Sequence, residues 1–103
     1  MQLLTKAICR TLPHLGERNG DNVARVKFFT PDSSWTWYVS EFDGDDTLYG
    51  LVDGFEVEFG TFSLKELQTV RGPLGLAIER DLSFTSIPLD QLYQELRSMR
   101  PIR

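Results

Sequence analysis

The chain has one cysteine and one histidine in 103 residues. Cys9 therefore has no partner for an intramolecular disulfide, which fits a reducing compartment. Cys9 and His14 together fall short of the four ligands that a structural zinc site takes from this set. No apolar run approaches the ~20 residues needed to span a bilayer. Residues 1–15 interleave Lys6, Arg10 and His14 among apolar residues. They lack the continuous apolar stretch of a secretory signal. No internal repeat, low-complexity tract or interdomain linker interrupts the chain. These absences predict one cytoplasmic domain over 1–103, with no cofactor, no metal and no membrane contact.

One further absence is local. Residues 28–64 contain no lysine or arginine. They carry eight acidic residues: Asp32, Glu41, Asp43, Asp45, Asp46, Asp53, Glu56 and Glu58. The preceding 27 residues hold five basic against two acidic groups, and residues 65–103 hold six against five, so the net −4 conceals a −8 block. A single-sign block makes an extended negative field and repels phosphates. It disfavours nucleic acid as a direct partner there.

The pattern of what remains is that of an α+β protein. Leu3, Leu4, Ala7, Ile8 and Leu12 recur at helical spacing over residues 2–12 until Pro13. The stretch 16–22, with Asn19-Gly20-Asp21, reads as a loop. From Ala24 the period falls to two. Strands are expected over 25–30, 35–42, 47–52 and 55–59, with turns at 31–34 and 43–46 and a hairpin at Asp53-Gly54. Trp35, Trp37 and Val39 would face a core and Thr36, Tyr38 and Ser40 water. Phe55, Val57 and Phe59 would likewise point inward. Ser63-Leu64-Lys65-Glu66 has the form of a capping box. The helix it opens would end at Gly72-Pro73, with Gly72 as the left-handed residue past its end. Residues 78–84 predict one more short strand, and Pro88 opens a last helix with Leu89, Leu92, Tyr93, Leu96 and Met99 along one stripe. The expected architecture is an antiparallel meander of four to five strands, with two or three short helices packed on one face.

Several residues invite a chemical reading. Counting an EF-hand loop from Asp43 puts Leu48 where glycine belongs and Gly54 where the bidentate glutamate belongs, so a calcium loop does not fit. Gly72-Pro73-Leu74-Gly75 has the outline of an RNA-backbone clamp, but Pro73 removes an N–H and no basic residue lies within it. Phe28, Phe29, Trp35, Trp37 and Tyr38 could stack bases, yet the segment has the wrong charge for that task. No Walker loop, dinucleotide fingerprint or nucleophile elbow is present. Three hypotheses remain. In the first, the chain is a non-catalytic interaction protein that presents Glu41, Asp43, Asp45, Asp46, Asp53, Glu56 and Glu58 to a basic protein partner. In the second, Arg71, Glu79, Arg80 and Asp81 form an enzyme site, with a carboxylate as general base and an arginine holding an anion. In the third, the basic ends (Lys6, Arg10, Arg97, Arg100 and Arg103) bind nucleic acid. Sequence leaves the oligomeric state open.

Three runs add a resemblance. Val26–Tyr38 (VKFFTPDSSWTWY), Gly50–Glu58 (GLVDGFEVE) and Arg71–Asp81 (RGPLGLAIERD) are similar to the signature of domain-of-unknown-function family 2958. They span about Val26 to Pro88. The resemblance implies a bacterial or phage setting, among small proteins of conjugative elements, plasmids and prophages. It brings no catalytic residue or cofactor with it. It implies a counter-defence role only by analogy with acidic proteins that mimic nucleic acid.

Overall fold

Two hydrophobic layers, one on each side of a single sheet, organise the protein. The computed structural model describes residues 1–17 and 22–100; Asn19-Gly20-Asp21 and Arg103 lie outside the described residues. The elements run α1 (Lys6–Cys9), β1 (Val23–Ala24), β2 (Val26–Phe29), β3 (Thr36–Phe42), β4 (Thr47–Asp53), β5 (Val57–Ser63), α2 (Leu64–Thr69), β6 (Glu79–Arg80), β7 (Ile87–Pro88) and α3 (Leu89–Ser98). Strands β2 to β6 form an antiparallel five-stranded sheet in the order β5-β4-β3-β2-β6, and β1 pairs with β7 in a separate two-stranded ribbon. The class is α+β, as the residue pattern predicts.

The side chains alternate across the sheet, as a pleated strand requires. Trp37, Val39 and Phe42 of β3 and Leu48 of β4 join Leu3, Leu4, Leu12 and Leu67 in one buried cluster. Ile8 and Cys9 of α1 pack against it. Tyr38 and Leu51 point the other way and join Leu89 and Leu92 of α3, with Tyr93 and Leu96 at the margin. The helices therefore cover both faces, not one. Tyr38 and Ser40, expected in water, are buried. Ser40 satisfies its hydroxyl on the Tyr49 carbonyl at 3.3 Å, and the Tyr38 ring packs against Phe84 at 5.8 Å. A tyrosine or serine with a hydrogen-bond partner is compatible with a core, so polar residue type alone did not mark a wet face.

Other boundaries differ for local reasons. Helix α1 has only four residues, capped by the Thr5 hydroxyl on the Ile8 N–H. Phe55 sits in the hairpin rather than in a strand, and β5 begins at Val57. Helix α2 ends at Thr69 with Val70 extended, and Gly72 has no positive φ. Gly72 is there for a different reason: a Cβ on it would lie 1.6 Å from Asp32 Oδ1. The same carboxylate accepts the Leu74 N–H at 2.8 Å and the Leu76 N–H at 3.4 Å through Oδ2. The β2–β3 turn thus holds the 72–76 loop, joining two runs of the family resemblance.

Gly50 in β4 is also forced, since a Cβ there would meet the Tyr38 carbonyl oxygen at 1.8 Å. A bulge between Val39 and Glu41 bends β3 after that point. No helix among the described residues is long and apolar enough to cross a membrane.

Candidate functional site

The carboxylates of the acidic block separate to the two ends of the sheet and into different chemical roles. At one end, the β3–β4 turn carries Asp43, Asp45 and Asp46. Asp43 Oδ1 accepts the backbone N–H groups of Asp45, Asp46 and Thr47 at 2.8, 2.9 and 3.0 Å. These bonds, the one from Asp45 foremost, hold its carboxyl below the usual carboxylate range. Asp46 reaches across to the start of α2. It accepts the Lys65 N–H and the Ser63 hydroxyl, both at 2.7 Å, and its carbonyl accepts the Leu64 N–H at 2.8 Å. The backbone bond from Lys65 is the main cause of its lowered pKa, followed by the Ser63 hydroxyl. Ser63 in turn accepts the Glu66 N–H at 3.1 Å, as the capping box predicts. Asp45 is exposed, with Lys65 Nζ at 3.7 Å. Both lowered carboxylates therefore hold the fold.

Glu41 is buried, at 2% exposure, beyond the β3 bulge. It accepts the Gly16 N–H and helps tie the N-terminal segment to the sheet. It lies out of reach of any docking partner.

The opposite end of the sheet is built by register. Glu79, Phe29, Thr36, Asp53 and Val57 stand in one row across β6, β2, β3, β4 and β5. Beyond that row emerge the 30–35 turn, the 54–56 hairpin and the 71–77 loop. Asp53 is paired with the Arg100 guanidinium, which also donates to the Gly54 and Phe55 carbonyls at 3.0 Å each. Arg100, just past the C-cap of α3, thereby clamps the hairpin. Phe55 at its tip is 81% exposed and stands edge-on to Trp35, with ring centroids 5.1 Å apart. Trp35 stacks on Trp37 at 5.9 Å and lies over Gly54, where a Cβ would meet its ring at 2.2 Å. Glycine is thus required for the tryptophan to cover the turn. Met99 lies beside the hairpin, sharing a shallow cleft with Ser34, Asp53 and Arg100. Leu74 and Leu76 are exposed at the same end of the sheet.

Glu56 and Glu58 complete this end. Both are exposed, and among the described residues neither carboxylate has a hydrogen-bond or ion-pair partner. Glu58 stands opposite Val52, on the tryptophan side of the sheet. Sequence charge alone could not separate these two from the carboxylates bound to backbone. The alternation of residues 55–59 predicts a strand at Phe55 and so hides its contact with Trp35.

The second candidate site is divided. Glu79, Arg80 and Asp81 line an open cleft of about 470 Å³ with Lys27, Phe29, Met1 and Leu82. Arg71 is absent from that lining and instead donates to the Gln68 and Val70 carbonyls beside its own loop. The Arg80 guanidinium donates to the Gln2 and Leu3 carbonyls at 2.6 and 2.7 Å, fastening the N-terminal segment. Asp81 accepts the Ser83 N–H at 2.9 Å and faces Lys27 Nζ at 3.7 Å. Tyr38 lies beneath, its pKa raised by burial first and then by the Asp53 and Asp81 charges. The basic ends are also separated. Lys6 and Arg10 lie at α1 on one side of the sheet; Arg97 and Arg100 lie at α3 on the other. Arg97 is held by the Tyr93 hydroxyl at 2.9 Å. Among the described residues, no group of three or more His, Cys, Asp or Glu is arranged to hold a metal ion.

No curated protein and no solved structure matches the chain significantly. The family model described as protein of unknown function DUF2958 matches residues 2–99. That match takes in all three runs of the resemblance and the helices on both faces of the sheet, and the chain belongs to the DUF2958 family.

Proposed function

We propose that the chain is a non-catalytic protein-interaction module that docks through the hairpin end of its sheet. Its partner would be a protein surface with a basic rim and an apolar centre. The observation that carries this reading is Phe55, an exposed phenylalanine buttressed by Trp35 and flanked by the unpartnered carboxylates of Glu56 and Glu58. Interface centres are enriched in buttressed aromatics, and rim charges steer the encounter. The docking surface is thus narrower than the acidic block as a whole. Its carboxylates are Glu56 and Glu58, with Asp45 exposed at the far end and Glu41, Asp43, Asp46 and Asp53 serving the fold.

In this reading the protein is a cytoplasmic accessory of a mobile element, and its partner is a basic host factor, with counter-defence as the analogous setting. Capture from a bacterial lysate at low and high salt tests it. The wild type should retain a basic protein at low salt and release it at high salt. Glu56→Lys with Glu58→Lys should retain none while keeping the wild-type melting temperature. Equal capture by both proteins would remove the proposal.

A second reading rests on the 470 Å³ cleft, whose lining includes Lys27 beside the carboxylates of Glu79 and Asp81. It makes the protein a small enzyme acting on an anionic metabolite. Titration with inorganic phosphate and simple carboxylates should then shift the NMR resonances of Lys27 and Glu79. Unmoved resonances at millimolar ligand would eliminate it.

A further inference from the structure

Strand β5 ends the sheet, and among the described residues no strand pairs with its outer side. The direction of its backbone groups follows from two bonds. At the hairpin end the Gly54 N–H donates to the Glu56 carbonyl, and at the far end the Leu64 N–H donates to the Asp46 carbonyl. Antiparallel rungs alternate between hydrogen-bonded and non-hydrogen-bonded pairs. Even-numbered residues of β5 therefore turn their N–H and C=O groups toward β4. Val57, Phe59, Thr61 and Ser63 turn theirs outward.

The two edges of the sheet are treated differently. The β6 edge is two residues long, is charged, and has its Arg80 N–H directed at Met1 Sδ. Those features blunt pairing with another chain. The β5 edge has seven residues and one charged side chain, Glu58. It has no lysine, no proline and no break in register with β4. Such an edge is a template for strand addition.

We propose that a second copy of this chain occupies the β5 edge, antiparallel, with the two-fold axis at Gly60. In that register Phe59 of each copy exchanges hydrogen bonds with Thr61 of the other, and Val57 with Ser63. Glu58 faces Phe62, and Gly60 faces Gly60. The arrangement is self-complementary, as an isologous two-fold contact must be. It also keeps like charges apart. The two Glu58 side chains stand four residues apart along the strand, roughly 14 Å at ~3.4 Å per residue and beyond the ~8 Å Debye length of physiological salt. A parallel pairing would set Glu58 beside Glu58, which is destabilising.

Gly60 itself points the same way. Gly50 is required inside the monomer by the Tyr38 carbonyl, whereas a Cβ on Gly60 would meet nothing within 4 Å. Glycine weakens a strand and often marks the close approach of another backbone. At the proposed axis it faces its own copy across a non-hydrogen-bonded rung, the narrowest of the ladder at about 4.5 Å between Cα atoms. Two facing glycines leave that side of the axis open to the flanking Phe62 and Glu58 side chains. The contact would also cover Phe59, which stacks on Tyr93 at 5.0 Å yet keeps 39% of its surface exposed. This inference goes beyond the docking reading and stands without it.

Sedimentation equilibrium of the whole chain from micromolar to millimolar concentration tests it. The expected result is a mass rising with concentration from 11.8 kDa toward twice that value. In hydrogen exchange of the same unmodified protein, the Phe59 and Thr61 amides should slow at least tenfold as the dimer fills. Thr61→Pro removes an outward N–H and leaves the β4 ladder intact, so it should stay at the monomer mass. A monomer at every concentration would overturn the proposal. So would a dimer in which the Phe59 and Thr61 amides exchange at the same rate at every concentration.

Discussion

Replacing Arg100 by alanine should release the hairpin that carries Phe55, Glu56 and Glu58. Arg100 bonds the Asp53 carboxylate and the Gly54 and Phe55 carbonyls, and among the described residues no other side chain spans all three. The side chains of Arg100 and Asp53 retain 29% and 25% of their exposure. Hydrogen bonds to charged groups contribute about 1.5–3 kcal/mol when buried, and exposed ion pairs about 0.2–1 kcal/mol. A cluster three-quarters buried falls between these limits. Allowing for water replacing part of each bond, Arg100→Ala should cost about 2 kcal/mol. For a domain near 100 residues that lowers Tm by roughly 8–16 °C. Arg100→Lys keeps the charge but loses the planar fork, and should recover less than half of the loss. Differential scanning calorimetry at neutral pH reads the shift. Hydrogen exchange should show faster exchange at residues 53–58 with the β2–β3 ladder unchanged. A Tm for Arg100→Ala within 2 °C of wild type would refute the clamp.

Three further predictions follow from the geometry. Gly72→Ala forces a methyl into the Asp32 carboxylate and should cost about 1–3 kcal/mol, the range for overpacking; Asp32→Ala combined with it should restore part of that loss, read as Tm in a double-mutant cycle. The carboxyls of Asp43 and Asp46 are held below their unfolded values, so their stabilisation is fully present above about pH 5 and is lost as pH falls through the folded values. The combined Asp43→Asn and Asp46→Asn variant should accordingly flatten the acid limb of a Tm-against-pH profile below about pH 5. Gly54→Ala pushes a methyl into the Trp35 ring and should shift tryptophan fluorescence to the red as the indole leaves the hairpin; an unchanged emission maximum would show that Trp35 does not cover the turn.

The strands were legible where two signals agreed. Trp35 to Phe42 alternates and is bounded by turn residues, and Asp53-Gly54 separates two alternating runs, so β3, β4 and their connections read directly. What the pattern misjudged was which polar residues belong inside. Tyr38 and Ser40 alternate with tryptophan and valine, yet both are buried, Tyr38 in the cluster with Leu89 and Leu92 of α3 and Ser40 with its hydroxyl on the Tyr49 carbonyl. The ribbon β1–β7 pairs Val23 with Pro88, and two residues per strand leave no period to detect. Gly72 showed a similar limit, since its local context reads as a helix stop while its physical constraint is a carboxylate forty residues earlier.

The candidate site followed the same logic. Sequence shows how many carboxylates lie between residues 41 and 58 and how the charge is segregated. It does not show which of them accept backbone N–H groups, because Asp43 and Asp46 differ from Asp45 only in what the folded chain brings near them. Glu41 is set apart by burial, Asp53 by Arg100, just past the end of α3. The remaining pair, Glu56 and Glu58, acquires meaning from Phe55 and Trp35, whose contact depends on the hairpin bringing residue 55 over residue 35.

The most direct test of the docking account is a zero-length carbodiimide cross-link on the captured complex, which joins a carboxylate to a lysine of the partner only when the two are in contact. Mass spectrometry should find the linked carboxylates at Glu56 and Glu58. Links confined to Asp43, Asp45 and Asp46, or to Glu79 and Asp81 in the cleft, would contradict it.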